Sequence, residues 1–188
     1  ATLWGSGDLR GRHVAVQGLG HVGWHLVRLL HEAGARLSVA DMNAARAATT
    51  AAEFGADVVE PGAVHAVAAD VLAPCAIGGV LNEGTIPEIR AAMVCGAANN
   101  QLAVPEDADR LHARGILYLP DYVANGGGII NVSAEILEIE DRDGWVNGRL
   151  DAIGANMARI LDQATGEGIS PAVIADRMVE EALLDKAG

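Results

Sequence analysis

Along the first two thirds of the chain, apolar residues fall in short dense clusters, separated by stretches in which they recur every three or four positions. Six clusters stand out: HVAVQG, RLSVAD, ADVVE, VLAPCA, MVCGAA and ILYLPD. Near-continuous apolar runs predict strands covered on both faces, and their alternation with helical spacing predicts βαβ units in a parallel sheet. Between the first two clusters, Val22, Leu26, Leu29, Leu30 and Ala33 share one predicted helical face, with Gly34 as the stop. NAARAATTAAEFG predicts a second helix, capped by Asn43 and ended by Gly55. PEDADRLHARG predicts a third, with acids at its start and Arg114 before Gly115 at its end, as the helix dipole favours. After Asp121 the alternation stops. GGGIINVSAEILEI predicts a helix and EDRDGWVNG a polar loop, followed by helices from about Leu150 to Ala164 and from about Ser170 to Leu184. The expected architecture is α/β: a doubly wound, mainly parallel sheet of about six strands, helices on both faces, and extra C-terminal helices.

Where the first predicted strand meets the first helix, the chain reads GLGHVG. In a chain with 23 glycines, one G-x-G-x-x-G hexapeptide is a weak signal. Its setting is stronger, because an apolar strand runs straight into it and an amphipathic helix follows. That arrangement is the one a Rossmann-type dinucleotide fold requires: Gly18 for the tight turn, Gly20 for close approach of backbone amides to a pyrophosphate, and Gly23 for helix–strand packing. The helix N-terminus adds about half a positive charge. Asp41 closes the second predicted strand about 20 residues on, where a carboxylate would hold the adenosine ribose. Its charge would repel a 2′-phosphate and the next basic residue is Arg46, so NAD is expected rather than NADP. The competing reading is a structural turn with a surface aspartate.

Composition narrows the partners. A chain of 188 residues suffices for one domain, and its net charge of −12 argues against nucleic acid and anionic membrane surfaces. No apolar run approaches the ~20 residues of a membrane span, and ATLWGSGDLRGR lacks a secretory pattern. Cys75 and Cys95 lie within apolar strand-like runs and read as buried free thiols of a reducing cytoplasm. His21 and His25 stand one helical turn apart, but no cysteine or acid completes a ligand set, so no metal site is expected. Residues 1–12 read as the remnant of a linker, and 13–188 as one nucleotide-binding domain. Of the 13 basic residues, twelve are arginine and Lys186 is the single lysine.

Three further stretches follow the glycine loop in order: VLAPCAIGGVLN, VCGAANNQLA and GILYLPDYVANGGGIINV. With GLGHVG they resemble the C-terminal, NAD-binding domain of the Glu/Leu/Phe/Val dehydrogenases, nearest the leucine, valine and phenylalanine enzymes, over almost the whole chain. The resemblance implies NAD-dependent oxidative deamination of a branched-chain or aromatic L-amino acid to the 2-oxo acid and ammonia. Carried over by position, it implies that Gly18, Gly20, His21, Val22 and Gly23 cradle the pyrophosphate and that Asp41 takes the adenosine ribose. Pro74, Cys75 and Ala76 would line the strand end that the cofactor crosses. Ala98 and Asn99 would lie near the nicotinamide ribose, and Asn125 would face the nicotinamide carboxamide and the substrate. Met157 and Ile160, one turn apart on a late helix, are weaker substrate candidates for which core packing is the stronger reading. Cys75 lacks a His or Asn partner nearby in sequence and reads as a packed thiol. The chain departs from the family at His21, where asparagine is common, and at NGGG, where N-A-G-G is usual.

Oxidising an amine at carbon needs a base for protons and a cation for the developing oxygen charge. In the family resembled, lysines and an aspartate of an N-terminal substrate domain do this work. Lys186 lies outside every motif of the crevice, so no catalytic residue is expected in this chain. It is expected to bind NAD without turning over an amino acid alone, and to pair with a catalytic N-terminal domain in cis or in trans, with homo-oligomers also expected. Three accounts stay open: one domain of a longer dehydrogenase, divided in the linker before Leu9; a stand-alone NAD-binding subunit or redox sensor; and an unrelated Rossmann protein such as a methyltransferase.

Overall fold

Val14, Ala15 and Val16 are each at most 2% exposed, so strand β1 (His13–Gln17) is covered on both of its faces. In the computed structural model, which describes residues 3–185, β1 lies inside a six-stranded, wholly parallel sheet. The other strands are β2 (Arg36–Ala40), β3 (Asp57–Val58), β4 (Val71–Pro74), β5 (Met93–Val94) and β6 (Leu117–Tyr118), in spatial order β3-β2-β1-β4-β5-β6. This is the doubly wound Rossmann order, and the parallel six-stranded sheet is the one expected from the apolar clusters and the glycine loop. Val16 registers with Val39 on one side and with Ala73 on the other, and these three are no more than 1% exposed. The outer strands are shorter than the clusters suggested. β3 is an exposed edge strand of two residues, although Val59 N–H still donates to Val39 C=O at 2.9 Å.

The helices are α1 (His21–Glu32), α2 (Ala44–Phe54), α3 (Asp107–Ala113), α4 (Asp121–Ala124), α5 (Gly127–Ile136), α6 (Arg142–Glu167) and α7 (Pro171–Asp185). Right-handed crossovers put α1 and α2 on one face of the sheet and α3 on the other. Asn43 caps α2 by accepting from Arg46 N–H at 3.1 Å, and Gly55 ends it in the left-handed conformation, as the sequence suggests. Helix α1 forms where expected, and of its predicted face Leu30 is buried and Leu26 packs on the core, but the inward face is rotated toward Gly23 and Val27. Gly23, Val27 and Leu30 are buried, whereas Val22 and Leu29 are more than half exposed and Ala33 lies outside as the C-cap. The 23-27-30 face won because only glycine at position 23 lets the helix descend onto β1.

The chain forms two compact units, Ala1–Tyr118 and Leu119–Gly188. In the first, Val16, Val27, Leu37, Val39, Phe54 and Val71 belong to one buried cluster, against which Trp4 and Leu9 pack. The guanidinium of Arg12 sits 4.4 Å from the Trp4 ring centre, and Gly11 N–H donates to Gly34 C=O at 2.9 Å. In the second unit, Ile160, Ala164, Ile174 and Ala175 form a smaller core with Val123, Ile169 and Met178 around it.

The stretch EDRDGWVNG is a correction to the sequence reading. It is not a loop, because α6 begins inside it at Arg142 and runs 26 residues. The Asp141 carboxylate accepts from Gly144 N–H at 3.1 Å as the N-cap, with Asp143 in the first turn. Arg142 reaches back to α5, donating to Asn131 Oδ1 at 2.8 Å and Glu135 Oε1 at 3.3 Å. A glycine in a helix costs about 1 kcal/mol, and a good cap returns about as much. The acids that read as a solvated loop therefore start a helix.

The Asp141→Ala variant should lose about 1 kcal/mol of stability in chemical denaturation followed by circular dichroism. An unchanged midpoint would show that the cap contributes nothing.

Candidate functional site

The strand order reverses between β1 and β4, and loops leaving the carboxyl ends of these two neighbours part to either side. An open sheet leaves its ligand crevice at such a point. From β1 the chain enters Gly18 at φ +92°, and Gly18 N–H donates to Ala40 C=O at 2.7 Å. A side chain here would strike Ala76, whose Cβ would lie 2.7 Å from the added carbon. A side chain at Gly23 would drive into the carbonyl oxygen of Gly18 and meet Cys75 Cβ at 3.3 Å. Gly20 is different: nothing lies within 4 Å of where its Cβ would be. Two of the three glycines thus serve close packing, and the third leaves the helix end open.

Helix α1 starts from Gly20 with no side-chain cap, and its first turn holds no acid. The first intrahelical bond runs from Trp24 N–H to Gly20 C=O, at 2.9 Å. The backbone amides of His21, Val22 and Gly23 precede that bond, at the positive end of the helix dipole. An anion is what such a terminus accepts.

Asp41 follows β2 and faces the same turn. Its Oδ2 accepts from Leu19 N–H at 2.7 Å and its Oδ1 from Asn43 N–H at 2.8 Å, while Arg46 Nη1 stands 3.4 Å from Oδ2. Burial pushes its pKa up, but the hydrogen bonds from Asn43 and Leu19 and the charge of Arg46 outweigh that and hold it below the usual carboxylate range. Asp41 is therefore a fixed anion. A carboxylate offers about four acceptor positions, so three donors do not exhaust it. A cavity of about 300 Å³ opens beside it between Gly18, Ala76, Ile77 and Pro61. A second, of about 410 Å³, lies between Asp41, Met42, Val59 and Pro61. Pro61 and Gly62 border both; neither stands out in the sequence as a site residue, although a Pro-Gly pair after a strand cluster is a turn signal.

The other side of the crevice comes from β4 and β5. Cys75 N–H donates to Gln17 C=O at 2.7 Å, and Ala98 N–H to Pro74 C=O at 2.9 Å. Pro74, Cys75, Ala76 and Ala98 therefore come together beside Gly18, and Asn99 follows directly in the chain. Gln101 was missed as a supporting residue. It is wholly buried, and its Nε2 donates to Gly96 C=O and to Ala98 C=O, both at 3.0 Å, which holds the bend after β5. Burial raises the Cys75 thiol pKa, and burial with the nearby Cys75 pushes Cys95 up to about 11. Both cysteines are free, and neither is disposed to be a thiolate nucleophile.

Asn125, Met157 and Ile160 lie in the second unit. Asn125 ends α4, with its N–H donating to Asp121 C=O at 2.8 Å. Gly126, the extra glycine of NGGG, has ordinary helical dihedrals (φ −62°), so nothing in its conformation demands glycine. Met157 and Ile160 are 7% and 2% exposed, and Ile160 is part of the core against α7. Lys186 lies outside the described residues. Among the described residues, no three His, Cys, Asp or Glu side chains gather into a metal site, and no helix is long and apolar enough to cross a membrane.

Residues 38–172 match the family model described as Glutamate/Leucine/Phenylalanine/Valine dehydrogenase. The chain is 43% identical over 180 residues to leucine dehydrogenase of Geobacillus stearothermophilus, covering 96% of this chain and 48% of that protein. It superposes on the crystal structure of L-tryptophan dehydrogenase from Nostoc punctiforme with a TM-score of 0.90 at 40% identity, over 98% of this chain and 56% of that one. The hetero-hexameric glutamate dehydrogenase of Thermus thermophilus is more distant, with a TM-score of 0.67 at 25% identity over 93% of this chain and 47% of that one. The chain spans about half the length of the curated relatives it matches.

A carboxyl whose pKa falls on folding stabilises the fold above its unfolded value, about pH 4, and that contribution is lost as pH falls through the lower folded value. The stability gap between the wild type and Asp41→Asn should thus be constant above about pH 4 and shrink below it. Acid denaturation curves that stay parallel down to pH 2 would remove the anchoring role of Asp41.

Proposed function

Because the chain belongs to the Glutamate/Leucine/Phenylalanine/Valine dehydrogenase family, we propose that it is the NAD-binding half of an amino acid dehydrogenase. The reaction is NAD-dependent oxidative deamination of a branched-chain or aromatic L-amino acid to its 2-oxo acid and ammonia. The observation that carries the cofactor assignment is the open turn at Gly20, with bare first-turn amides on one side and the fixed Asp41 anion on the other. Gly18, Gly20, His21, Val22 and Gly23 receive the diphosphate. Asp41 accepts from the adenosine ribose hydroxyls with its remaining lone pairs, and its charge disfavours a 2′-phosphate. Pro74, Cys75 and Ala76 present backbone to the cofactor where it crosses β4, with Ala98 and Asn99 beside the second ribose. Asn125 orients the carboxamide and the substrate. NAD⁺ held by these residues would supply the acceptor for the hydride of the substrate α-carbon.

The substrate class is supported by the relatives' names, one a leucine and the other a tryptophan dehydrogenase. The base and the cation that the chemistry needs are supplied by a lysine-bearing N-terminal domain, in cis or in trans. An apolar stripe on α5, with Ile129, Val132 and Ile136 between 51% and 75% exposed, supports a packing partner and hence an oligomer.

Calorimetry should show NAD binding in the micromolar to millimolar range, weaker NADP binding, and no heat with S-adenosylmethionine. Heat with S-adenosylmethionine in place of NAD would favour a methyltransferase. Asp41→Ala should weaken NAD by roughly 1–3 kcal/mol, the scale of lost charge-assisted hydrogen bonds. Adding the lysine-bearing N-terminal half should bring deamination, and persistent silence would favour a non-catalytic NAD-binding subunit.

A further inference from the structure

Two side chains at the start of α1 have no part in the reading above beyond the backbone of one of them. His21 opens the helix and His25 follows one turn later, so the two lie one above the other on one face. Their ring centres are 4.6 Å apart, with planes at 81°. Imidazole nitrogen binds a divalent transition-metal ion at about 2.0–2.1 Å, which sets each ring centre about 3.2 Å from the ion. Two rings on one ion, at an angle between square and tetrahedral, then stand about 4.5–5.2 Å apart. The pair already has that separation.

We infer that His21 and His25 form a two-imidazole chelate for a divalent transition-metal ion of the Cu²⁺, Ni²⁺ or Zn²⁺ class. His21 is exposed and His25 half-buried, with the Trp24 ring edge-on to His25 at 5.0 Å. An open groove of about 410 Å³ is lined by Leu19, Gly20, His21, Trp24 and Arg46, which leaves an ion room to reach the rings. Arg46 is the positive group on that groove, and the Asp41 carboxylate 3.4 Å from it moderates its charge. Among the described residues no third His, Cys, Asp or Glu joins the pair, so the remaining coordination positions belong to solvent. The net charge of −12 favours any cation, and the preference for imidazole separates these ions from Mg²⁺ and Ca²⁺, which prefer oxygen. The site needs only the two rings, and it stands or falls independently of the dinucleotide assignment.

The test is calorimetric titration of the intact chain with Ni²⁺, with Cu²⁺ electron paramagnetic resonance as a second readout. One ion per chain is expected, with a Cu²⁺ spectrum showing coupling to two imidazole nitrogens. His21→Ala and His25→Ala should each weaken Ni²⁺ at least tenfold, while His31→Ala, near the end of the same helix, should leave it unchanged. Circular dichroism of the three variants separates lost binding from lost helix. Equal Ni²⁺ affinity in the wild type and the two paired variants, or an equal loss with His31→Ala, would overturn the site and leave the ring contact as edge-to-face packing alone.

Discussion

At the end of the central strand, the carbonyl oxygen of Gly18 occupies the space where a side chain at position 23 would begin, and Ala76 occupies the space where a side chain at position 18 would begin. This double approach of backbone to backbone is the constraint on which the rest of the first unit depends. It lets α1 descend onto β1 at Gly23 and puts Val27 and Leu30 into the core. It also draws the chain leaving β4 against the turn, so that Cys75 bonds to Gln17 and Ala98 to Pro74. The crevice is what remains once these segments have closed on one another. Its walls are therefore mostly main chain, and their positions follow from packing more than from the identity of any side chain facing the opening.

The six-stranded parallel sheet was legible because each apolar cluster is separated from the next by helical spacing or a turn, and such alternation builds βαβ units. Asn43 and Gly55 were legible for a similar reason: caps are local, and a cap residue acts on amides three or four positions away. The inward face of α1 was legible only in part. Leu26 and Leu30 do turn to the core, but Val22, Leu29 and Ala33 fit helical spacing with them as well as Val27 does, and spacing cannot tell which side meets the sheet. That choice was made by contact with Gly18, which is a tertiary fact. The start of α6 was misread because Gly144, Gly148 and three acids in nine residues weigh toward a loop, while one carboxylate on one amide decides the matter.

The candidate site divides in the same way. Gly18, Gly23 and Asp41 were visible from their spacing, because each answers a demand tied to a strand end. Gln101 was not, although AANNQLA drew notice as a motif. Its work is to bond two carbonyls from within, and nothing in the order of residues shows that a glutamine will be wholly buried. Pro61 and Gly62 escaped notice because they border the cavities from a segment with no regular structure.

The two backbone bonds to Asp41 bear on how such a protein could change its cofactor over evolutionary time. The carboxylate fastens Leu19 of the first loop to Asn43 at the head of α2. A replacement chosen to welcome a phosphorylated sugar would remove that fastening along with the charge, loosening both loops around the crevice. A route to altered preference would then have to begin elsewhere, with a compensating brace between the loops or a change at Arg46, before the acid itself could be given up. If the residue proposed as recogniser is also a strut, the trait it governs is slow to drift.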